Sequence, residues 1–207
     1  MPKTKRGLIF LKYLCSMNEI NWSENVIIAD ADHIDGVAFD LIVNFERMLG
    51  RRIPQADMAR WTECIALDGG LRPGEHQIQV VLIHRKQQQE MKNFIPSRYD
   101  ELDGKAFNGQ LGEFIFTAVS TEEMAGKEDI LLDTLQLVAA QQEVKNVMVV
   151  PADEHYASIR NTLTRMDNDQ KRITLFTMEP KVGGHFRQEI LGYSLMAALG
   201  IRGEELQ

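Results

Sequence analysis

Short, continuous apolar runs alternate along the chain with longer stretches of helical period. Five runs stand out, at 26–30, 78–84, 113–119, 147–152 and 172–178. Val26-Ile27-Ile28-Ala29 and Val147-Met148-Val149-Val150 have no polar side, so they read as strands buried on both faces, as in parallel sheets. Between runs, Val37, Leu41, Phe45 and Leu49 repeat at helical spacing, which predicts a helix over 37–49 stopped by Gly50. The same reasoning predicts helices at 54–67, 87–93, 128–142, 157–166 and 186–199, with Pro54 in a first turn and Gly200 past a last one. Asp68-Gly69-Gly70, Pro73-Gly74 and the stretch through Pro96, Gly104 and Gly109 read as loops. Strands alternating with helices predict an α/β fold. The expected form is a three-layer α/β/α sandwich around a central parallel sheet of about five strands, in the Rossmann-like order 3-2-1-4-5. There is no repeat and no linker, so the 207 residues read as one domain, with 1–25 as an N-terminal extension and 180–207 carrying a C-terminal helix.

Composition narrows the function classes. The formal net charge of −7 disfavours tight non-specific nucleic-acid binding, which rests on cations neutralising phosphates. Local basic groups (Lys3, Lys5, Arg6; Arg51, Arg52; Arg85, Lys86) leave weak or transient RNA contact open. Cys15 and Cys64 are too few for a disulfide framework or a zinc knuckle and suit a reducing, cytoplasmic setting. Lys3, Lys5 and Arg6 before Gly7-Leu8-Ile9-Phe10-Leu11 imitate a signal peptide, but Lys12 interrupts the apolar run and no small-residue cleavage site follows. That segment reads as an N-terminal helix or strand. No stretch approaches the roughly 18 apolar residues of a membrane span, so no membrane association is expected.

The candidate chemistry lies at two strand ends. The first strand runs into Asp30-Ala31-Asp32-His33, and the fourth into Pro151-Ala152-Asp153-Glu154-His155-Tyr156. In the order 3-2-1-4-5 these strands are neighbours, and open α/β sheets hold their sites at the carboxyl ends. Crowded carboxylates repel unless a positive charge joins them, and a divalent metal is the usual one. Asp129 and Asp133, four apart, share a face of the helix entering the fourth strand.

On these residues the chain resembles the NYN ribonucleases of the PIN-like superfamily. That family carries a strand ending I-D-G-x-N, then K-G-x-D opening a helix, then a strand ending S-G-D-x-D-F. The counterparts are Ala29-Asp30-Ala31-Asp32-His33, Lys127-Glu128-Asp129 and Pro151-Ala152-Asp153-Glu154-His155-Tyr156, within 26–178. The chain also resembles an uncharacterised bacterial family. The NYN resemblance implies Mg²⁺ or Mn²⁺ held by Asp30, Asp129 and Asp153, with Asp32 auxiliary, hydrolysing RNA phosphodiesters. It implies proton transfer by His155 or His33, and phosphate or substrate contacts from His33, Arg85 and Lys86. The chain departs from the pattern in four places. His155 stands for the second acid of the last motif, His33 for the Asn, and Pro151-Ala152 for Ser-Gly. The spacing after Lys127 is one residue short, which makes Asp133 an alternative to Asp129. Histidine carries no negative charge, so Mg²⁺ affinity should fall.

These departures support an alternative: a catalytically degenerate nuclease fold kept as a binding or assembly module. The apolar final helix (Phe186, Ile190, Leu191, Tyr193, Leu195, Met196, Leu199) is then a candidate homodimer surface. A third reading takes Asp30-x-Asp32 as the start of a haloacid-dehalogenase-like phosphatase with Asp30 as nucleophile. His33-Ile34-Asp35 and the Ala157 four residues after Asp153 fit that pattern less well.

Overall fold

The computed structural model describes residues 21–121, 126–165, 171–183 and 186–206. The N-terminal element expected near residue 7 lies outside the described residues. In chain order the elements are β1 (Asn25–Asp30), α1 (Ala31–Leu49), β2 (Ala56–Asp57), α2 (Met58–Asp68), β3 (His76–Arg85), β4 (Phe94–Ile95), α3 (Tyr99–Leu102), β5 (Ala106–Gly109), β6 (Gly112–Thr121), α4 (Lys127–Ala140), β7 (Asn146–Val150), α5 (Tyr156–Arg165), β8 (Arg172–Thr177), β9 (Arg187–Ile190) and α6 (Leu191–Ala198). A 3₁₀ turn over Asp153–His155 precedes α5.

The main sheet has the order β5-β6-β3-β1-β7-β8-β9. Its five inner strands reproduce the expected 3-2-1-4-5 order, and all pair in parallel. Alternate residues of each strand feed two separate cores. Ile27, Ala29, Ile78, Val80, Leu82, Met148 and Val150 face one core, with residues of α1, α2 and α6. Val26, Ile28, Val81, Ile83, Val147 and Val149 face the other, with residues of α4 and α5. This two-sided burial is why the runs carry no polar alternation. It makes the molecule a three-layer α/β/α fold.

The structure departs from the sequence expectation at several points; α2, for one, starts at Met58 with Asp57 as its cap and leaves Pro54 outside it, and the stretch read as loop holds α3. The sheet has seven strands rather than about five. β5 adds antiparallel to β6 through a tight hairpin, and β9 adds parallel to β8. The helix expected over 186–199 is therefore only Leu191–Ala198, because Arg187–Ile190 pairs along the edge of β8. That helix and its C-cap turn Leu191, Leu195 and Leu199 into the core and leave Tyr193 exposed. No helix forms over 87–93; the chain turns there and continues into β4, which pairs with β2. Finally, α1 starts at Ala31, not Val37, because the Asp30 side chain caps it by accepting from His33 N at 3.0 Å. The polar and glycine positions of that first stretch, Asp32, His33, Asp35 and Gly36, hide its helical period.

Gly112 tests the outer hairpin. It sits at φ 122°, and a Cβ there would lie 2.1 Å from His76 O and 2.4 Å from His76 N, both backbone atoms that cannot yield. Gly112→Ala should therefore cost at least about 1–3 kcal/mol in chemical denaturation, from backbone strain alone. A loss of less than about 0.5 kcal/mol, the range of ordinary surface changes, would contradict the hairpin geometry.

Candidate functional site

Topology builds the site. The chain leaves β6, two strands away from β1, and must reach β7 on the other side of β1. α4 makes that crossover and packs on β1 and β3. Its first residue, Lys127, thereby arrives over the carboxyl end of β1. There its ammonium lies 2.7 Å from Asp30 Oδ1 and 3.0 Å from Asp32 Oδ2. A cation in a helix's first turn opposes the macrodipole by about 0.3–1 kcal/mol. A single carboxylate at about 4 Å in a partly buried setting is worth roughly 4 kcal/mol before desolvation. The two acids therefore outweigh the dipole and explain a lysine at that position.

Asp30 is 1% exposed and its Oδ1 serves both the α1 cap and Lys127. Asp32, in the first turn of α1, is buried too. Its Oδ2 accepts from Lys127, from Arg85 N at 3.2 Å and from Arg85 Nε at 2.9 Å, at the end of β3. Asp35, one turn on, accepts from Asn93 N at 2.8 Å and ties α1 to the segment before β4. Tyr99 lies beneath this group, stacked on His84 with ring centroids 3.7 Å apart and planes 11° apart. Burial pushes the Tyr99 phenol far above its ordinary value, and the neighbouring Asp32, Asp35 and Asp30 charges add to the effect. Four buried polar atoms of this cluster have no partner among the described residues: Asp30 Oδ2, Asp32 Oδ1, His33 Nε2 and Tyr99 OH.

The other expected site residues divide. His33 joins the cluster and senses both Asp30 and Asp153. The ends of β1 and β7 therefore do converge. Asp153 itself is half-exposed, with Lys181 Nζ 3.7 Å away. His155 turns to α4: its Nδ1 is 3.3 Å from Glu128 Oε2, and the other oxygen of Glu128 accepts from Ser158 Oγ. This arrangement joins the starts of α4 and α5. Asp129 is exposed and its Oδ2 accepts from Gly126 N at 3.4 Å, as a helix cap. Asp133 shares its face; burial and the Asp129 charge raise the Asp133 carboxyl above its ordinary value. Arg85 is committed to Asp32, while the Lys86 side chain is exposed.

A divalent metal fits this donor set poorly. The inner oxygens of Asp30 and Asp32 face an ammonium, Asp129 caps its own helix, and Asp153 has its own lysine. Among the described residues no three His, Cys, Asp or Glu side chains are grouped to hold a metal ion. Also among the described residues, no helix is long and apolar enough to cross a membrane.

A family model matches residues 19–206. The chain belongs to DUF6621, a family of unknown function. No curated protein and no solved structure matches it.

Sequence reasoning gave no role to Lys127, Tyr99, His84 or Asp35. For Lys127 a signal was present, since a lysine opening a helix is electrostatically misplaced unless an acid meets it. Tyr99 and His84 gave none, because their stacking joins the end of β3 to the start of α3 across an irregular stretch that no periodicity describes.

His33 carries a pH signature. Burial lowers its pKa below the ordinary 6.5 and Lys127 acts in the same direction, while Asp30 and Asp153 oppose. As pH falls through 6.5 the unfolded chain takes up this proton first, so stability from neutral His33 is complete above 6.5 and is lost below it. Urea denaturation from pH 7.5 to 5.5 should show wild-type stability falling more steeply than that of His33→Gln. Equal slopes would contradict a folded state that holds His33 neutral.

Proposed function

We propose that this chain is a catalytically degenerate PIN/NYN-like domain that works as a binding module rather than as a nuclease. One observation carries the reading: the Lys127 ammonium lies between Asp30 and Asp32, at 2.7 and 3.0 Å, doing the charge-neutralising work that a divalent cation does in a hydrolytic acid cluster. A metal nuclease needs open coordination positions that admit substrate phosphate and water. Here the acids cap α1, hold Arg85 and hold Lys127, which makes the cluster a structural junction between β1, β3 and α4. The His155–Glu128 contact supports the same reading, because that histidine is spent on joining two helices.

A second reading is favoured by the unpartnered Asp30 Oδ2 and Asp32 Oδ1. Two free carboxylate oxygens are enough to hold one Mg²⁺ or Mn²⁺ when substrate phosphate completes the shell. In that reading the protein cleaves RNA weakly, and His33, with its unpartnered Nε2, is the group that moves a proton.

The two separate in a cleavage assay on short single-stranded RNA with Mn²⁺, using wild type and Asp30→Asn. The binding-module reading predicts no metal-dependent cleavage by either protein. Manganese-dependent cleavage by wild type that Asp30→Asn abolishes would overturn it in favour of the hydrolytic one.

A further inference from the structure

At the opposite end of the sheet, where the strands begin, lies an open cleft of about 880 Å³. The first residues of four neighbouring strands line it: His76 of β3, Asn25 of β1, Asn146 of β7 and Arg172 of β8. The loop after α2 forms one wall and contributes Arg72. In a chain of net charge −7, this cleft gathers Arg72, Lys145, Lys171 and Arg172 around a single carboxylate among the described residues, Glu24.

Two of these cations are already used. Lys145 pairs with Glu24 at 2.6 Å. Lys171 donates to the carbonyls of Gln141 and Val144, where α4 has ended and its dipole is negative. The two arginines remain. The Arg72 guanidinium is exposed and has no partner among the described residues. Arg172 has one long bond, from Nη1 to Gly70 O at 3.4 Å, which leaves most of its donors open. Two further features hold them in place. His76 Nε2 donates to Arg72 O at 2.9 Å and fixes the loop backbone. Gly70, at φ 96°, leaves room for Arg172: a Cβ there would lie 2.6 Å from its Nη1.

Guanidinium forks with open donors match phosphate oxygens two at a time. Among the described residues no Phe, Tyr or Trp lines the cleft, so these residues give a base or ring nothing to stack on. We propose that this amino-end cleft binds phosphate groups through Arg72 and Arg172, with little recognition of whatever carries them. The inference does not depend on the acid cluster or on its reading as a degenerate site.

Calorimetry with pyrophosphate, and separately with a short single-stranded RNA, tests it. At least one probe should bind saturably, with one phosphate site per chain and an affinity that falls with salt. Arg72→Ala and Arg172→Ala should each weaken binding by about tenfold or more. Lys92→Ala, at an exposed lysine outside the cleft, should leave it unchanged. Thermal melts of the exposed Arg72→Ala variant guard against misfolding. Pyrophosphate binding without RNA binding assigns a free oligophosphate as the ligand. RNA binding that pyrophosphate displaces assigns a phosphodiester backbone. Either supports the site. Failure of both probes to saturate, or affinity that survives both arginine substitutions, overturns it.

Discussion

One partly buried ammonium organises the carboxyl end of this sheet. Lys127 sits between Asp30 and Asp32, and each of those acids has a second duty. Asp30 starts α1, and Asp32 holds the end of β3 through Arg85. Three elements far apart in sequence thus meet on one charge. Removing it would leave two buried carboxylates facing one another, an arrangement that proteins avoid unless a proton or another cation replaces it.

That constraint explains why acids at two adjoining strand ends do not form a metal cage. α1 begins at once after β1, so Asp30 spends an oxygen on the helix and cannot turn freely toward β7. On the β7 side the chain enters a 3₁₀ turn that leaves Asp153 half-exposed near Lys181, while His155 reaches back to Glu128 of α4. Each acid of the expected set has found a local partner. The opposite end of the sheet has the reverse character, with arginines whose donors are only partly used.

Much of the architecture was legible in the sequence. Runs such as Val26–Ala29 and Val147–Val150 are apolar at every position because both faces are covered, which marked them as inner strands, and the alternation of strands with helices predicted the order. The edges were not legible. β5 and β9 are short, half-exposed strands of mixed polarity, whose pairing depends on a neighbour that periodicity does not reveal. The site was legible in part. Asp30, Asp32 and His33 do converge with the β7 end, since strand order alone dictates that. Their electrostatic partner was not legible, because its position is set by where a crossover helix lands. Asp129 looked equivalent to the other acids in the motif, but a helix's first turn satisfies it locally.

The central claim is that Lys127, not a metal, neutralises the Asp30–Asp32 pair. Urea denaturation of wild type and Lys127→Met, each with and without Mn²⁺, tests it most directly. The account predicts that the substitution costs about 3–5 kcal/mol, as for a broken buried pair, that Mn²⁺ restores part of this loss, and that Mn²⁺ leaves wild type unchanged. Stabilisation of wild type by Mn²⁺, together with a Lys127→Met cost below about 1 kcal/mol, would contradict it.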